Sequence, residues 1–159
     1  MTMSYVTGSS GLPMLPSKPV LTLGTACQLL AAAEATATSG CMQVSIAVCD
    51  DGGHLLALHR MDGAPPATAS IASEKARTAA LIRRPGKAFE DIINGGRAAM
   101  LSIGSLQAML EGSEPLLIAG QCIGSIGISG GRPADDSRVA ESAQQALLTL
   151  HPPRAGDGA

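Results

Sequence analysis

Residues Val48–Ala64 read VCDDGGHLLALHRMDGA, and how this stretch folds decides the architecture of the whole chain. Upstream, Val44, Ile46 and Val48 alternate with Gln43, Ser45 and Ala47. Beyond Asp50-Asp51-Gly52-Gly53, Leu56 and Leu58 alternate with Ala57 and His59. That period of two is the signature of strands, and an Asp-Gly-Gly connection supplies the positive φ angles a tight turn needs. The stretch therefore predicts an antiparallel hairpin whose polar residues, His54, His59, Arg60 and Asp62, collect at its ends.

Working outward, LTLGTACQLLAAAEATATS (Leu21–Ser39) predicts a helix with Ala26, Leu29, Leu30 and Ala33 on one face, and Gly40 is placed to terminate it. After the hairpin, Pro65-Pro66 leads into ATASIASEKARTAALIRR, a second helix that Pro85 closes. AFEDII and GRAAMLSIGSLQAML predict short helices around the Asn94-Gly95-Gly96 joint. PLLIA, Gly120-Gln121 and CIGSIGIS form a second hairpin, with Ile126 and Ile128 on one face. Ser125, Gly127 and Ser129 leave the other face bare, open to close approach by a helix, a second subunit or a ligand. A last helix, SRVAESAQQALLTL, is capped by Asp135 or Asp136 and buries Val139, Ala143, Ala146 or Leu147, and Leu150. Two hairpins interleaved with helices exclude an all-parallel sheet. The predicted class is α+β: an antiparallel sheet of two hairpins, with room for a fifth strand, flanked by helices.

The 159 residues suffice for one domain with a real core, placed at 21–150 between loosely ordered Gly-, Ser- and Pro-bearing segments at 1–20 and 151–159. Net charge is −2 and the basic residues are scattered apart from Arg83-Arg84, so no nucleic-acid or anionic-membrane footprint is visible. Aromatic residues are 1% of the chain, Tyr5 and Phe89 alone, which removes base-stacking platforms and aromatic cages. No apolar run reaches membrane-spanning length. Cys27, Cys41, Cys49 and Cys122 show no zinc-site spacing. With no export-type leader, they are expected to be reduced, small buried hydrophobes in a cytoplasmic protein.

Three motifs in this order, VSIAVCDDGGHLLALHRMDGA, ASEKARTAA and IGSIGISGG followed by DDSRVAESA, resemble the GlcG/HbpS-like family, also called the haem-degrading domain family, which includes the C-terminal domain of PduO. The similarity runs from the first helix to Leu150. It implies a profilin-like fold, self-association into rings or larger assemblies and, in some members, haem binding. One element departs from the family. Where members usually carry a glycine-rich GGxP sequence, this chain has LEGSEPLLIAG, placing Glu111, Ser113 and Glu114 before Pro115 and changing the charge a ligand would meet there.

Among the candidate groups, His54 and His59 are the imidazoles placed to act as acid/base groups or as haem ligands, whereas His151 sits in the tail. Arg60 can present its planar fork to a ligand carboxylate, or can pair with Asp62 or Glu74. Lys75, with Glu74 in the second helix, can reach toward the sheet as an acid/base group or merely cover the helix. Arg60 and Lys75 are expected to border one anion-accepting pocket. No Walker loop, GxSxG elbow or HExxH occurs, so no dissociable cofactor or metal is required, with haem as the one cofactor that the resemblance suggests. Two functions follow. One is a homo-oligomeric small-ligand-binding protein that holds haem or another small molecule through Arg60, Asp62, His54, Glu111 and Glu114. The other is a cofactor-independent lyase, isomerase or cyclase acting on a small acid, with His59, Glu74 and Lys75 moving protons.

Overall fold

A computed structural model describes residues 17–152. The loosely ordered termini expected at 1–20 and 151–159 fall mostly outside that span. The elements run α1 (Leu23–Ser39), β1 (Ser45–Asp50), β2 (Leu55–Arg60), α2 (Ala67–Ile82), α3 (Gly86–Asn94), a short 3-10 helix (Ala98–Ser102), β3 (Ser113–Ile118), β4 (Gln121–Ser129) and α4 (Pro133–Leu150). Both predicted hairpins form and join through β1 and β4 into one antiparallel sheet of order β2-β1-β4-β3. No fifth strand joins it among the described residues.

The sheet is covered on both sides, which makes three layers. Ile46, Val48, Ile126 and Ile128 point toward α1 and α4, meeting Leu29, Leu30, Val139 and Leu147 in the main core. Burying such a side chain contributes about 1.5–3 kcal/mol. The opposite face carries Ala47 and Cys49, which pack on Ala72 and Ala76 of α2. The bare strip of β4 belongs to this side, so the occupant of that strip is α2, not a second subunit or a ligand. A Cβ at Gly127 would strike the Ala72 carbonyl and the Ala76 amide. The serines beside it bond the helix to the sheet: Ser125 Oγ donates to the Ala76 carbonyl at 2.5 Å, and the Ser45 and Thr68 hydroxyls meet at 2.7 Å.

Several expected boundaries move for local reasons. Thr22 caps α1, its hydroxyl accepting from the Thr25 N–H at 3.2 Å, and the left-handed residue at the far end is Cys41 (φ 53°), while Gly40 has φ −86°. Helix α2 ends at Ile82 on a left-handed Arg83 (φ 54°), and Pro85 instead precedes α3. GRAAMLSIGSLQAML makes one 3-10 turn and then irregular chain rather than an α-helix. The edge position of β3 lets that strand begin at Ser113 and include Pro115. Pro133 takes the first position of α4, which moves Asp135 and Asp136 from the cap into the first turn, where they favour the helix dipole. Leu150 is exposed and Ala140 is buried in the stripe instead. All four cysteines are free thiols. Cys27 and Cys41 are exposed, contrary to the expectation of burial, whereas Cys49 is buried.

Candidate functional site

The hairpin turn is held by Asp50, whose Oδ1 accepts from the N–H groups of Gly52 (2.9 Å) and His54 (2.8 Å). Partial burial works the other way, but these bonds and the adjacent His54 hold the Asp50 carboxyl below its ordinary value. The His54 ring is largely exposed, 3.3 Å from the Asp50 carboxylate, at the turn end of β2. Burial, reinforced by the Asp50 charge, pushes the nearby Cys49 thiol up to about 12, so it is no nucleophile.

At the other end of β2 the strand's alternation points His59 toward α1, where its Nδ1 lies 2.9 Å from Glu34 Oε2. A carboxylate can only accept, so in the neutral ring Nδ1 carries the proton and Nε2 presents its lone pair. Both side chains are half-exposed and, with Leu58, Arg60, Met61 and Asp62, line an open concavity of about 430 Å³. Among the described residues, no carboxylate lies within ion-pair distance of Arg60, so neither Asp62 nor Glu74 occupies its fork. Glu34 is the member that sequence reasoning missed. It is the single charged residue of α1, and its distance along the chain hid the pairing.

Lys75 is elsewhere. Its Nζ donates to the Ile128 carbonyl at 2.8 Å and to Asp136 Oδ2 at 3.1 Å, and both side chains are buried. Asp136 Oδ1 in turn accepts from the Gly131 N–H at 2.9 Å. Gly112 (φ +106°) borders the pair, and a Cβ there would sit 2.8 Å from Lys75 Nζ, which explains one glycine of the divergent element. The pocket expected between Arg60 and Lys75 does not form. Arg60 ends the edge strand β2 and is exposed, whereas the ammonium of Lys75 is directed to β4 and α4. Glu74 is half-buried on α2 without an ion-pair partner among the described residues.

The two acids of the divergent element also separate. Glu111 donates its N–H to Glu90 Oε2 at 2.5 Å, and its carboxylate stands 3.7 Å from Lys87 Nζ. Glu114, in β3, has its carboxyl pushed up to about 7 by burial and then by the charge of Glu141. Neither borders the His59 concavity. Among the described residues no cluster of His, Cys, Asp and Glu could hold a metal ion, and no helix is long and apolar enough to cross a membrane.

These features define an α+β protein with helices on both faces of one antiparallel sheet and a histidine–carboxylate–arginine concavity at the sheet edge. Residues 21–145 match the family model described as "Haem degrading protein HbpS-like", and the chain belongs to this family. It is 46% identical to protein GlcG of Escherichia coli K12 over 115 residues, 72% of this chain and 85% of GlcG. The crystal structure of Klebsiella pneumoniae ORFY superimposes with a TM-score of 0.78 at 29% identity, covering 87% of this chain and 99% of ORFY. A PduOC:heme complex superimposes with a TM-score of 0.71 at 27% identity, covering 80% of this chain and 95% of the other.

Proposed function

We propose that this protein binds a small anionic ligand at the β2 edge, with haem as the candidate occupant, in a homo-oligomer. The observation that carries the reading is the 2.9 Å contact between His59 Nδ1 and Glu34. A carboxylate behind a histidine fixes its tautomer and raises the basicity of the opposite nitrogen, the arrangement that iron-ligating histidines use. His59 would hold the iron, and the open fork of Arg60 would pair with a propionate. Bound haem would supply an iron centre for redox or oxygen chemistry. The half-exposure of His59 leaves one side of such a ligand uncovered, and a second copy of the chain would cover it.

Hemin titration of the full chain tests this. The parent should give a saturable Soret band, His59→Ala should abolish it, and His54→Ala should leave it intact. Arg60→Lys keeps the charge but loses the fork, and should weaken binding about tenfold. Equal, non-saturating spectra from parent and His59→Ala would sink the proposal.

The same dyad also favours the second reading, a cofactor-independent lyase, isomerase or cyclase. Nε2 of His59 would take a proton from a small acid whose carboxylate Arg60 holds. This reading requires His59-dependent solvent exchange of a substrate proton in the absence of hemin, and loses its basis if a panel of small 2-oxo and hydroxy acids shows none.

A further inference from the structure

Between α3 and the irregular chain that follows lies a cavity of about 450 Å³ that the His59 edge does not share. That volume is within the roughly 300–1,000 Å³ typical of small-molecule sites. Its lining comes from the segment between Glu90 and Leu110, with Ile93, Ile103, Leu106 and Met109 as apolar wall. Leu101, at 64% exposure, stands at the rim. Helix α3 is amphipathic, yet Gly86 is its single fully buried residue, so Phe89, Ile92 and Ile93 remain half-covered.

The segment is nevertheless pinned. Thr78 Oγ1 donates to the Gln107 carbonyl at 2.5 Å, and the Glu111 N–H holds Glu90 Oε2. No partner takes the other Glu90 oxygen among the described residues. The lining contains no His, Lys or Arg. Just outside, Lys87 is shared between Asp91 (3.0 Å) and Glu111 (3.7 Å), so with Glu90 three carboxylates face one ammonium. The lining is mainly apolar with Glu90 as its one charged group, and Asp91 and Glu111 stand beside Lys87 just outside it. A haem propionate would meet the Glu90 carboxylate and no cation within this lining.

We propose that this cavity is a second binding site, taking an apolar amine in its cationic form: the hydrocarbon lies along Ile93, Ile103 and Leu106, and the ammonium meets Glu90. Glu111 gives the site its charge sign by holding the Glu90 carboxylate through its N–H and adding its own carboxylate just outside. The proposal is independent of what His59 binds.

Calorimetric titration of the full chain with n-octylammonium and with n-octanoate tests it. Octylammonium should bind saturably and octanoate about tenfold more weakly, the order expected when an attractive, partly exposed charge contact is exchanged for a repulsive one. Glu90→Gln keeps the acceptor for the Glu111 N–H and should collapse the preference to less than about threefold. Ile103→Trp should block both compounds, and His59→Ala should change neither. Equal affinity for the two compounds, no saturable binding of octylammonium, or a preference that survives in Glu90→Gln would each overturn the proposal. So would a dimer in sedimentation that Leu101→Glu dissociates, because a second copy would then be the occupant. If Glu90→Gln fails to fold, loss of octylammonium binding in a folded Ile103→Trp variant supports the site, and retained binding there overturns it.

Discussion

Glu114 stands between two environments. It sits in an edge strand, but α4 packs against that strand and brings Glu141 near, so burial and a like charge both oppose its ionisation and lift its carboxyl to about 7. Between the ordinary carboxyl range and that value, the native state holds a proton that the unfolded chain has released, so stability falls as pH rises through the window. Glu114→Gln removes the titration and keeps the shape. It should flatten the loss in thermal or urea unfolding between pH 4.5 and 8, and should stabilise the protein at pH 8 by about 1–2 kcal/mol after allowance for solvent screening. An unchanged profile would show that the carboxyl is solvated in the native state. The sequence announced Glu114 as an added carboxylate in a divergent element, but not its pairing with Glu141, because nothing local encodes how far α4 lies from β3.

At the scale of elements, the Lys75–Asp136 pair joins three of them. The lysine leaves α2, reaches the end of β4 at the Ile128 carbonyl, and meets the first turn of α4. Removing one member of a buried pair leaves the other charge uncompensated, which costs about 3–5 kcal/mol. Lys75→Met should therefore lower unfolding free energy by that amount, while hemin affinity measured below the unfolding transition stays within about twofold. Loss of affinity without loss of stability would return Lys75 to the ligand site. The helix carrying it was legible from its small residues and flanking prolines. Its partner was not, since Asp136 reads locally as a helix-start residue and serves that role too.

The whole molecule makes a third demand: a ligand at the open β2 edge needs cover, and large apolar side chains away from the α3 cavity, such as Leu23 and Leu55, remain exposed. Sedimentation at micromolar concentration should show a species larger than the monomer, and a monomer alone would remove the oligomer from the functional reading. The serine and glycine strip of β4 no longer supports this expectation, because α2 fills it. By itself the sequence determined the two hairpins, the helices around them and hence the α+β class. Alternation and turn glycines act over a few residues, so they can be read in one dimension. Three pairings waited for the tertiary structure: Glu34 behind His59, Asp136 on Lys75, and Glu90 fixed by Glu111. Each joins residues at least 21 positions apart. Whether such groups meet depends on how helices pack across a sheet, and packing is set by the sum of many small contacts along the chain rather than by any one local signal.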